Sequence, residues 1–185
     1  MSVRVITAPA EEPVSVATAK LHLRVDNSAD DTLIGTLITA ARVKGEAAAR
    51  RAFITQTLEA TFDDWPSSCH AGGLLPLPRP PLQSVTSVKY IDSDGVERTW
   101  TDFQIDARSE PGRVYFVSLP GETLFFSGAI TVRYVAGWGN AAACPEPIKQ
   151  AILSAVAYWY EVRDATGQLP APALGIFRSY RANWF

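Results

Sequence analysis

The chain has 185 residues, 47% of them hydrophobic, and its 17 basic and 19 acidic side chains leave a formal net charge of -2. That length suffices for one domain or two small ones burying about 70% of the surface the unfolded chain exposes, so no disulfide staples are required, and Cys69 and Cys144 stand at no metal or disulfide-framework spacing. Balanced charge without a run of Lys or Arg does not imply tight binding to nucleic acid phosphates, and no apolar run is long enough to span a membrane.

Met1 to Pro13 has neither a basic n-region nor an apolar h-region, so a soluble protein made in the cytoplasm is expected, in a reducing compartment. After this extended start, Ser15 is placed to cap a short helix running to about His22. A second helix comes next: Ser28 with Asp31 has the spacing of a capping box, Asp30 and Asp31 suit a positive helix start, and Arg42, Lys44, Arg50 and Arg51 crowd its end. Leu33, Ile34, Leu37, Ile38, Ala41, Gly45 and Ala48 give it one apolar face, whose small residues would let another helix come close.

From Ile54 the hydrophobic period becomes two. Ile54, Gln56, Leu58, Ala60 and Phe62 alternate with Thr55, Thr57, Glu59, Thr61 and Asp63, the pattern of a half-buried strand. Pro76, Pro78, Pro80 and Pro81 hold the next segment at an edge or rim. Val85 to Asp92 and Val96 to Trp100 read as a hairpin around Ser93, Asp94 and Gly95, with further strands at Phe103 to Asp106, Arg113 to Val117 and Ala129 to Val135. Pro145 to Asp164 then forms a long helix, entered through Pro145 and Pro147 and stopped by Gly167 and Pro170. Ile148, Ala151, Ile152, Ala155, Val156, Trp159 and Tyr160 make most of its circumference apolar, which suits a helix central to its own domain or shared with a neighbouring subunit. Helices, then strands, then a helix is an α+β arrangement: a helical module from both chain ends, 1-52 and 140-185, with a small antiparallel β-rich lobe, 53-139, inserted between them.

Motifs for catalysis are thin. Gly137, Trp138, Gly139 and Ala142 mimic a dinucleotide loop, but Cys144, Pro145 and Pro147 intervene before the helix. Asp92, Asp94 and Gly95 open like a calcium loop, yet Phe103 stands where the bidentate acid belongs. Cys69 beside His70 is the one enzymatic pairing on offer, set in a loop of small residues that would not preorganise it, and His22 reads as an exposed polar residue. Asp63 and Asp64, adjacent at a strand end, point to opposite faces. No catalytic, cofactor or metal residue is assigned.

The final segment, Leu174 to Phe185, comes after Pro170 and Pro172 and has the composition of an interface anchor. Phe177, Tyr180, Trp184 and Phe185 would supply apolar contacts and Arg178 and Arg181 would meet carboxylates. The competing expectation is that these aromatics fold back onto the helical module.

Seven phrases, in order, carry a family resemblance: Ala19 to Asp26 (AKLHLRVD), Asp30 to Arg42 (DDTLIGTLITAAR), Ile54 to Glu59 (ITQTLE), Leu77 to Val85 (LPRPPLQSV), Tyr90 to Glu97 (YIDSDGVE), Val132 to Gly139 (VRYVAGWG) and Pro145 to Leu153 (PEPIKQAIL). From about Ser15 through Arg163 the chain resembles the head-to-tail connector (adaptor) proteins of long-tailed double-stranded DNA bacteriophages, in the longer form with a β insertion. The resemblance implies a structural protein of the virion: a homo-oligomeric ring, dodecameric in the particle, docked under the portal protein and presenting a surface to the next connector or the tail. DNA would pass through without specific binding, and no cofactor, catalysis or membrane is implied. Prophages and gene transfer agents carry such genes too. Another ring of the same junction, a stopper or tail-completion protein, is the alternative, and a small Cys/His enzyme the third.

Overall fold

The computed structural model describes residues 1–65, 73–120, 128–162 and 167–182. In chain order the elements are β1 (Ser2–Thr7), α1 (Val16–Leu23), α2 (Asp31–Ala49), β2 (Gln56–Phe62), β3 (Leu74–Pro76), β4 (Leu82–Ile91), β5 (Glu97–Trp100), β6 (Phe103–Asp106), β7 (Arg113–Phe116), β8 (Ile130–Ala136), α3 (Glu146–Val162) and α4 (Ala171–Ser179). The class is α+β, as the order of elements predicts. The chain divides into a sheet unit containing Met1–Pro9 and Thr55–Gly137 and a helical unit of Ala10–Ile54 and Trp138–Asn183. The first nine residues therefore belong with the sheet, where the sequence pattern groups residues 1-52 with the helices. Val3, Val5, Ile6 and Thr7 are β-branched, and this local strand preference is satisfied by antiparallel pairing with β2.

In the sheet unit the strands form two antiparallel sheets where one is expected. The larger runs β1-β2-β8-β4-β5 and the smaller β3-β7-β6. Proline explains the position of β3: Pro76 cannot donate to a ladder, and β3 lies at an edge. Leu58, Ala60, Val88, Ile130, Val132 and Tyr134 are buried in this unit, and Trp65 meets Tyr90 and Phe116 edge-on at 6.0 and 5.2 Å. The Tyr134 hydroxyl donates to the Pro78 carbonyl at 2.7 Å, which satisfies it in a site whose burial raises its pKa well above the ordinary phenol value. The Asp92 to Gly95 turn closes the β4–β5 hairpin. Asp92 Oδ1 accepts the N–H groups of Asp94 and Val96 at 3.0 and 2.9 Å, and Oδ2 accepts from Arg98 Nε at 2.8 Å. These bonds hold the Asp92 carboxyl below its usual range, the Arg98 bond contributing most, and Gly95 supplies the φ of +79° that the turn requires.

In the helical unit Ser15 caps α1 as expected, its Oγ accepting the Thr18 N–H at 3.0 Å. The capping box at the start of α2 does not form. Asp30 occupies the N-cap without a side-chain cap bond; Asn27 makes a local turn by accepting the Ala29 N–H, which leaves Ser28 outside the helix entry. Asp30 instead accepts from the Tyr160 hydroxyl at 2.6 Å, and Asp31 pairs with Lys20 at 2.7 Å. Ile34, Ile38 and Ala41 of α2 share one buried cluster with Ile148, Ala151, Ile152, Ala155, Val156 and Trp159 of α3. Fully burying each large aliphatic side chain is worth about 1.5–3 kcal/mol, so this seam is the main hydrophobic bond of the unit.

Candidate partner-binding site

The residues singled out for partner binding lie on or just after α4. Pro170 takes the N-cap position and Pro172 the first turn, where a missing N–H costs nothing, so the break that the two prolines predict is also a helix start. Phe177 and Ala173 fall four apart on the inward face and are both completely buried. Phe177 stacks on Phe53 with ring centroids 5.8 Å apart, and Phe53 stacks in turn on Trp138 at 5.7 Å.

The small residue at position 45 of α2 makes room for this. A Cβ added there would lie 2.7 Å from Phe177 Cε1 and 2.9 Å from Phe53 Cε2. Close approach was expected of the small residues along α2, and the group that uses it is an aromatic side chain from α4.

Beyond α4 the backbone is still held. Tyr180 packs edge-on against Trp138 at 6.1 Å, its carbonyl accepts a bond from Arg51 Nε, and the Ala182 N–H donates to the Ala49 carbonyl at 2.9 Å. The Arg51 guanidinium lies 5.8 Å from the Trp138 ring centroid, a cation–π distance.

These contacts fold Phe177 and Tyr180 back onto the helical unit, the competing expectation for this segment. Phe177 belongs to the buried core of the helical unit, and a fully buried ring has no surface to offer a partner. Tyr180 is half-buried, whereas Arg178 and Arg181 are exposed. Trp184 and Phe185 lie outside the described residues, as do Cys69 and His70. His22 is exposed on α1, and Cys144 is buried at 2% exposure with its thiol pushed up to about 12 by desolvation, so it is no nucleophile near neutral pH.

The ionic chemistry missed by pattern reading is internal. Arg42, expected to serve the end of α2, is 5% exposed and turned inward. Its Nε donates to Glu12 Oε2 at 2.6 Å and its Nη1 to Glu46 Oε2 at 3.1 Å, while Glu46 Oε1 accepts the Phe53 N–H at 2.8 Å. Burial alone would lower the Arg42 pKa; the two carboxylates outweigh it and raise it. The i,i+4 spacing of Arg42 and Glu46 was a legible signal, but nothing in the sequence says that such a pair faces the core.

A second buried acid sits in the sheet unit. Glu59, on the expected polar row of β2, is 3% exposed because Arg4 of β1 and Arg133 of β8 cover it. Arg4 Nε donates to Oε1 at 2.7 Å and Arg133 Nη2 to Oε2 at 2.7 Å. Desolvation pushes this carboxyl up, and the bonds from Arg133 and Arg4 outweigh it, leaving it below the usual carboxylate range.

Among the described residues no cluster of three or more His, Cys, Asp or Glu could hold a metal, and no helix is long and apolar enough to cross a membrane. The helical unit has an apolar groove of about 590 Å³ lined by Leu33, Leu37, Ala40, Lys44, Trp159 and Tyr160. Asp30, which accepts from the Tyr160 hydroxyl, lines it as well.

Comparison with known proteins gives a likeness of fold. No family model and no curated protein sequence matches the chain. Among solved structures, a chain from the neck of an empty gene transfer agent particle, computed with sixfold symmetry, is similar over 100% of this chain and 97% of that one, at a TM-score of 0.80 and 23% identity. A chain from the native particle's neck, computed with twelvefold symmetry, matches over the same shares with a TM-score of 0.77 and 22% identity. A chain from the virion of the native particle gives 0.75 and 23%, again over 100% and 97%.

Proposed function

We propose that this chain is a structural subunit of the head-to-tail junction of a phage or phage-like particle, an adaptor that assembles as a ring beneath the portal and lets the genome pass through its lumen. The observation that carries the reading is the full-length likeness of fold, both units included, to chains of gene transfer agent necks. The phrases from Ala19 to Leu153 that resemble phage adaptors point the same way, and the near-balanced charge suits a channel through which DNA slides without being held. Twelve copies is the expected stoichiometry in the particle. The chain would be made in the bacterial host cytoplasm and reside in the virion, with the portal on one side and the next connector or the tail on the other.

Under this reading α4 is a fixed platform and not a free arm. Arg178 and Arg181 are its exposed cations, suited to bidentate pairing with portal carboxylates, and Tyr180 stands between them in sequence, with Trp184 and Phe185 following. Mass measurement of the purified protein with and without its portal tests the proposal. A ring that forms on the portal supports the adaptor role; a ring that ignores the portal and binds the tail side reassigns the chain to a stopper or tail-completion protein.

A further inference from the structure

The larger sheet ends at β1, and a row of charges ends there with it. Arg133, Glu59 and Arg4 are direct register partners across β8, β2 and β1, so their charges alternate plus, minus, plus across three strands. The row stops at Arg4, whose side chain is 71% exposed although it holds Glu59. A guanidinium has five N–H donors, more than one carboxylate oxygen can use.

The outer edge of β1 is defended by one charge and one register shift. Native edge strands are commonly guarded by free charges, proline or bulges. The opposite edge, β5, carries Glu97 paired with Lys89 and Arg98 paired with Asp92. In β1 the lone charge is Arg4, Val5 is 46% exposed, and the register shift between Val5 and Thr7 leaves Ser2 to Val5 as a regular open edge.

We propose that the open edge of β1 accepts an extended strand from a different protein, antiparallel or parallel across Ser2 to Val5, which places an acidic residue beside Arg4 and apolar residues on either side of it against Val3 and Val5. The added strand completes the row as plus, minus, plus, minus. Strand addition of this kind draws affinity from main-chain bonds and specificity from alternate side chains. A second copy of this chain is the poorer source. Its edge strands β1 and β3 contain no acid, and β5 and β6 offer only Glu97 and Asp106, which are already engaged by Lys89 and Ser109.

The test uses the isolated full chain and is therefore independent of ring assembly. The probes are two blocked seven-residue peptides with valine at odd positions, threonine at the second and sixth, and glutamate or lysine at the centre. Backbone amide shifts of the labelled protein are monitored during titration. The expected result is saturable shifts confined to β1 and β2, at least tenfold tighter for the glutamate peptide, and lost in the Val5→Lys variant, which folds normally because that side chain is exposed. Equal response to both peptides, shifts elsewhere, or no shift at millimolar peptide overturns the proposal. So does concentration-dependent self-association abolished by Val5→Lys, since it would make a second copy the occupant.

Discussion

The Phe177 ring occupies the space that a side chain on Gly45 would need: a Cβ built at position 45 falls 2.7 Å from Phe177 Cε1. The two residues are a lock, and they define what α4 is in the isolated subunit. Gly45→Ala should destabilise by about 1–3 kcal/mol through overpacking, and Phe177→Ala by about 3–5 kcal/mol through the cavity it leaves. Combining Gly45→Ala with Phe177→Leu should recover part of the first loss, a coupling readable in a double-mutant cycle by denaturant unfolding. Strict additivity would mean that the rings have other room to move.

Truncating the chain before Ala171, which removes α4 and the C-terminal residues, should cost more than a partner interaction. Phe53 would lose a stacked neighbour, Trp138 its edge-on one and the Ala49 carbonyl its donor, so the protein should melt earlier and bind a hydrophobic dye. An unchanged melting curve would show that the segment contributes only contacts outside the subunit.

The Glu46 carboxylate should be the most sensitive charged site in the helical unit. Glu46→Ala leaves Arg42 buried with one partner fewer and strands the Phe53 N–H. The expected loss is about 3–5 kcal/mol, measured by urea unfolding. Glu46→Gln keeps an acceptor for that N–H and should lose less.

Acid should loosen β1 before the helical unit. Glu59 has a folded pKa below its unfolded one, so its contribution is complete above the ordinary carboxylate range and disappears as pH falls through the folded value. Hydrogen exchange at Val3 and Val5 should accelerate as pH drops below about 4, after correction for intrinsic rates. Glu59→Gln should make β1 exchange faster at neutral pH and flatten this dependence; a variant with the wild-type pH profile would sink the assignment.

Much of the architecture is legible along the chain. Period three-to-four at Ile34, Ile38 and Ala41, and again from Ile148 to Trp159, announces the seam between α2 and α3, and Gly95 announces the hairpin. Three things are not legible, each for a physical reason. Pairing of β1 with β2 joins residues far apart in sequence, so no local pattern reveals it. Glu59 reads as a solvated polar residue until two arginines from other strands cover it. Phe177 has a composition that suits either an interface or a core, and only the gap at Gly45 decides between them.

The sheet unit is interrupted in sequence: β1 lies before the helices and β2 after them. On the ribosome this order imposes a delay. At about 5–20 residues per second, β1 emerges seconds before the strand it pairs with, and the helices α1 and α2 emerge before α3 supplies the other half of their core. The helical unit cannot close until Thr55–Gly137 has been synthesised, and the sheet unit cannot close until Ala10–Ile54 has been. The nascent chain therefore carries two unfinished surfaces at once, an unpaired β-branched strand and an uncovered apolar helix face, and chaperone engagement should peak between the synthesis of Ala49 and that of Trp159.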